Sequence, residues 1–97
     1  MLSNSEIKKR VSDIAHKYGV EKAYLFGSYA RGEANQNSDV DICIIKGKMR
    51  TLVDLSGFYL DLEEALGIKV DVVTTDSISG EFKHAIEKEF VEIYGND

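Results

Sequence analysis

A chain of 97 residues with a formal net charge of −5 has the length of one domain and the wrong sign of charge to bind nucleic acid by neutralising phosphates. Its hydrophobic share of 43% suffices for one modest core, and no apolar run approaches the roughly 18–20 residues of a membrane span. The single cysteine, Cys43, leaves no internal disulfide, and the charged start MLSNSEIKKRVSDIAHKYG lacks the apolar centre of a secretory signal, so a cytoplasmic protein without membrane contact is expected.

Residues 4–18 predict a helix, because Ile7, Val11, Ile14, Ala15 and Tyr18 recur at steps of three and four. Ser3 and Glu6 have capping-box spacing, and Gly19 supplies the stop. Residues 22–26 (KAYLF) predict a short strand ending at Gly27, followed by a helical turn over 28–33 and a loop, ANQN. Residues 39–45 (DVDICII) predict a second strand whose far end is apolar on both faces. A second long helix is expected over 52–66, from Thr51 as N-cap to Gly67, and a third strand over 68–74. A last helix over 79–89 is expected to turn Phe82, Ala85 and Ile86 inward. The tail FVEIY fits either an extension of that helix or an edge strand.

This order predicts an α/β (α+β) domain spanning 1–97, with a small mixed sheet flanked by helices. The 39–45, 52–66, 68–74 unit is long enough for a right-handed parallel crossover. The shorter connection from 22–26 to 39–45 favours antiparallel pairing. Gly27-Ser28 at the end of the first strand should then meet Asp39 and Asp41 at the start of the second, and Asp71 early in the third.

That convergence has a chemical meaning. Asp39 and Asp41 are two apart and share a strand face, so each raises the other's pKa unless a cation lies between them. A hard divalent ion with oxygen ligands, Mg²⁺ where phosphates are also bound, answers the repulsion. Gly27-Ser28 is the complement: glycine lets a phosphate approach the backbone, and the following amides and the serine hydroxyl are donors.

The stretch GSYARGEANQNSDVD, a Gly-Ser, ten residues, then Asp-x-Asp, resembles the signature of the polymerase-beta-like nucleotidyltransferase superfamily. With its short length, the GSYARGEA variant and SDVDICI, the chain most resembles the minimal nucleotidyltransferases, the MNT antitoxins paired with HEPN-domain toxins. The resemblance runs from the first helix to the third-strand aspartate. It implies the nucleotidyltransferase fold, Gly27 and Ser28 binding the triphosphate of ATP, and Asp39 and Asp41 ligating two Mg²⁺ ions. It further implies Asp71 as third metal ligand and proton acceptor, and Arg31 as a phosphate contact. The implied activity is transfer of AMP from ATP to a hydroxyl, a tyrosine of the HEPN toxin. Larger relatives hold the acceptor with further domains, so here a partner is expected to bring it.

Blander readings stand beside these. Asp71 by itself suits an edge-strand charge, and Arg31 suits a surface ion pair with Glu33 or another acid. Cys43 shares the face of Asp39 and Asp41 but reads as a small core residue. His16 and His84 lack metal-ligand spacing, the tyrosines Tyr18, Tyr24, Tyr29, Tyr59 and Tyr94 read mostly as core or rim, with a nucleotide or partner contact as the alternative for Tyr29 in its loop, and DLEEAL reads as a solvated helix face. The rival function is a non-catalytic antitoxin that neutralises its toxin by binding alone. Transfer to a small molecule or an RNA end is the third reading, weakened by the lack of a basic patch.

Overall fold

The computed structural model describes residues 1–95. Its elements are α1 (Asn4–Tyr18), β1 (Lys22–Phe26), α2 (Gly27–Arg31), β2 (Val40–Ile45) and α3 (Leu52–Leu66). They continue as β3 (Val70–Thr74), a 3₁₀ turn (Thr75–Ser77), α4 (Gly80–Glu87) and β4 (Val91–Gly95). The helix ends are locally encoded. Ser3 and Glu6 form the expected capping box, Thr51 accepts from the Asp54 N–H, and Gly19 and Gly67 close α1 and α3 in the left-handed conformation.

The strands form one mixed sheet in the order β3-β2-β1-β4. β1 runs antiparallel to β2 and to β4, whereas β2 and β3 are parallel across the α3 crossover. The tail that the sequence left between two outcomes is therefore a strand, and it turns β1 into an interior strand. Two strand starts also differ from expectation. β2 begins at Val40, leaving Asp39 just ahead of the strand, and β3 begins at Val70 after Ile68 and Lys69.

The two faces of the sheet are unequally covered. α1 and α3 lie on one face over Ala23, Leu25, Val40, Ile42, Ile44 and Val70, with Ile7, Val11, Phe58 and Leu62 filling the layer between. On the other face a small cluster of Phe26, Cys43 and Ile86 sits under α4 and the β4 junction, with Val73, Ile78 and Phe90 at its rim. α4 is shorter than the expected 79–89 helix, and of its three expected inward residues only Ile86 is buried. Phe82 and Ala85 are exposed. The helix meets the sheet through Ile86, which packs with Phe26 and Cys43, while Phe82 one turn earlier lies beyond that small cluster.

Candidate active site at the aspartate end of the sheet

The strand register assembles the site. Phe26, the last residue of β1, faces Asp41 of β2, and Asp41 faces Asp71 of β3. Gly27 follows Phe26 directly and opens α2. The point where β1 ends and β2 and β3 begin thus gathers Gly27, Asp41 and Asp71, with Asp39 two residues ahead of Asp41. Gly27 has φ +73°, a backbone conformation that glycine adopts without strain. A Cβ on it would collide with the Asp41 Oδ2 atom. Glycine is therefore demanded twice, by the turn and by the carboxylate beside it.

Asp41 is half-buried and its carboxyl is pushed up to about 6. Burial is the first cause; the negative charges of Asp71 and Asp39 and direct contact with the Asp71 carboxylate follow, while Arg31 pulls the other way. Asp71 is exposed at the sheet edge and Asp39 is half-buried. Among the described residues no three His, Cys, Asp or Glu side chains are grouped so as to hold a metal ion by themselves. What the fold brings into contact is the pair Asp41–Asp71, with Asp39 flanking it. The chemistry of this donor set fits a hard cation: all its ligand atoms are carboxylate oxygens, one carboxylate is held partly out of water beside another, and Gly27 leaves its Oδ2 side clear.

Arg31, on the last turn of α2, is not free. Its Nε donates to Glu33 Oε1 at 2.9 Å and its Nη1 to Glu89 Oε2 at 2.7 Å. The surface pair with Glu33 that the sequence suggested is present, and a second, less exposed acid joins it. Glu89 also accepts from the Gly27 N–H through Oε1 at 3.1 Å. Its carboxyl is held below the usual range by Arg31 first and the Gly27 amide second.

Two features escaped the sequence reading. The first is Glu89, which nothing in the tail's composition marks and which only the β1–β4 register carries to Gly27. The second is Glu63, placed in the solvated run DLEEAL. It accepts from the Tyr59 hydroxyl at 2.9 Å and from the Val70 N–H at 3.2 Å, so it caps the start of β3 one residue before Asp71. Tyr29 is buried in the main core, which matches the core-or-rim reading of the tyrosines rather than a contact with nucleotide or partner. Cys43 is buried as expected, and burial pushes its thiol up to about 11, which keeps it unreactive. His16 and His84 are exposed. No helix of the described residues is long and apolar enough to cross a membrane.

Comparison with known proteins agrees with this geometry. A relative from Methanocaldococcus jannaschii, provisionally described as a protein adenylyltransferase, is 43% identical over 89 residues, covering 92% of this chain and 96% of its own. The protein adenylyltransferase MntA of Thermococcus cleftensis is 31% identical over 97 residues, covering 96% and 98%. Among solved structures, a tri-AMPylated Shewanella oneidensis HEPN toxin in complex with its MNT antitoxin matches the fold. Its TM-score is 0.73 at 19% identity, covering 95% of this chain and 72% of that one. The family model described as polymerase beta, nucleotidyltransferase matches residues 9–97. With Gly27, Asp41 and Asp71 meeting at one end of a sheet of that fold, the chain belongs to the polymerase-beta nucleotidyltransferase family.

Proposed function

We propose that this nucleotidyltransferase moves AMP from ATP to a hydroxyl of a partner protein, a tyrosine of a HEPN-domain toxin, and so acts as an antitoxin. The observation that carries the reading is the contact of Asp41 with Asp71 directly beside the Cβ-less Gly27 turn. Carboxylates in contact, one of them half-buried, cost stability unless the site is built to hold positive charge. A turn that strains any side chain other than glycine's suits a phosphate approaching the backbone.

In this reading the acceptor oxygen attacks the α-phosphorus, forming an O–P bond, and the bond from that phosphorus to pyrophosphate breaks. Asp39, Asp41 and Asp71 would hold two Mg²⁺ ions, which supply charge neutralisation to the attacking and leaving oxygens. Asp71 would take the acceptor's proton, a role supported by its being the most exposed of the three and on the edge strand. Ser28 donates its hydroxyl to the triphosphate and Arg31 its guanidinium. The partner assignment is supported by the two adenylyltransferase relatives and by the fold shared with the Shewanella antitoxin. A bulky charged AMP added to the toxin would act on it by like-charge repulsion and obstruction.

The test is the intact mass of a HEPN partner after incubation with this protein and Mg-ATP. The expected result is a gain in units of AMP that disappears with Asp39→Asn/Asp41→Asn. If the double variant still neutralises the toxin undiminished, catalysis is not the antitoxic act and neutralisation by binding takes its place.

A further inference from the structure

Glu89 lies between α4 and β4, in neither element. The β1–β4 register brings it to the site: Leu25 faces Val91, so two residues onward along the antiparallel pair Gly27 comes to face Glu89. The neighbouring backbone is pinned by Phe90, whose ring stacks on Tyr24 at 4.6 Å and leans on Phe26 at 6.3 Å. The carboxylate then makes the two contacts already described, one oxygen to the Gly27 N–H and the other to Arg31. It is the less exposed partner of the Arg31 pair, at 26% against 43%.

On the nucleotide reading, the Gly27 turn and the Arg31 guanidinium are groups that meet the triphosphate. Here an internal anion already holds both. A carboxylate and a triphosphate cannot share them without strong like-charge repulsion, and a ligand with several negative charges outcompetes a single carboxylate for a guanidinium. We propose that Glu89 is a positioning residue of nucleotidyl transfer: it holds Arg31 and the Gly27 turn in the nucleotide-free protein and yields Arg31 to the triphosphate. This inference rests on the proposed nucleotide site and adds to it a residue from the C-terminal segment. Part of the triphosphate's binding energy is spent on breaking the Glu89–Arg31 pair. Nucleotide occupancy is thereby coupled to the junction that leads into β4.

The test is calorimetric binding of Mg-ATP and of inorganic tripolyphosphate to wild type, Glu89→Gln and Glu89→Asp, with KM and kcat measured alongside. Glu89→Gln keeps an acceptor for the Gly27 N–H but removes the charge that competes for Arg31. Both ligands are expected to bind it roughly threefold more tightly or better, as fits the loss of one exposed charge pair, with KM falling and kcat not rising. Glu89→Asp, which keeps the charge, is expected to stay near wild type. A purely structural Glu89 predicts a lower melting temperature with equal or weaker binding, and that result overturns the inference while leaving the nucleotide site intact. Failure of wild type to bind either ligand overturns the nucleotide reading and this inference together.

Discussion

The two faces of the sheet are built from the same strands and serve opposite ends. Under α1 and α3 the residues are apolar and closed, and Phe58, Leu62, Ile42 and Ile44 have no exposed surface. On the α4 side the same β2 strand presents Asp41 and Cys43, alternating with Ile42 and Ile44, and the cover is a two-turn helix. One face supplies the stability that lets the other hold like charges together. A fully buried large apolar side chain contributes about 1.5–3 kcal/mol, so the closed face can offset a self-repelling carboxylate pair several times over. The strand's two-residue alternation keeps the two jobs apart, because each neighbouring side chain faces the opposite way.

The closed face carries the largest expected effect. Phe58→Ala is expected to lower unfolding free energy by about 3–5 kcal/mol, since Phe58 is wholly buried and touches Tyr18 edge-on at 5.7 Å. Urea unfolding checks this. Transfer per folded molecule is expected to survive, because Phe58 points away from the aspartates. A variant that stays stable, or that folds fully yet loses transfer, would break the division of labour between the faces.

At the seam between the faces the expected cost is smaller. Gly27→Ala forces a Cβ into the Asp41 carboxylate and a side chain into a positive-φ turn, for a loss of about 1–3 kcal/mol. Thermal unfolding measures it, and transfer is expected to fall far more than stability does. If Gly27→Ala binds Mg-ATP as well as wild type, the turn is not the phosphate approach.

The smallest expected effect is the pH dependence of the open face, and it sharpens the comparison most. Asp41 holds its proton more tightly folded, near pH 6, than the ordinary carboxyl value of 3.8. This group therefore favours the folded state most below about 3.8. Its contribution is lost as pH rises to about 6 and is level above. Asp41→Asn removes that slope. The variant is expected to be more stable than wild type at pH 7, with the gap closing as pH falls from 6 towards 4. Adding a divalent cation at pH 7 is expected to raise the wild-type melting temperature and leave Asp41→Asn nearly unmoved. Carboxylates such as Glu89 and Asp76, whose pKa values are lowered by their partners, act in the opposite sense below pH 4.5, so the difference between the two proteins is the quantity to follow. Equal pH profiles would mean that Asp41 is not under electrostatic stress.

Local sequence by itself determined α1 and α3, their caps and the buried stripe of α1, whereas in α3 the period that runs through Leu52 misses Phe58: Leu52 is exposed and Phe58 wholly buried. Those signals lie within four residues of one another along the chain, inside the reach of a single helical turn. It also determined the meeting of Gly27 with the aspartates, because the short β1–β2 connection favours antiparallel pairing and the longer β2–β3 connection allows a parallel crossover, and only that combination brings those positions to one end. What only the tertiary structure decided involves partners far apart in the chain. The tail FVEIY after Glu89 is rich in strand-forming residues but directly follows a helical segment, so its length leaves helix and strand both open, and its pairing with β1, about seventy residues earlier, settles it. The same pairing turns Glu89 from an unremarked surface acid into a ligand of the Gly27 amide. Glu63 reads as solvated until Val70 arrives to donate to it. Periodicity reports which face a residue belongs to, whereas the partner waiting on that face is set by register. A register shift of one residue reverses every side chain in a strand.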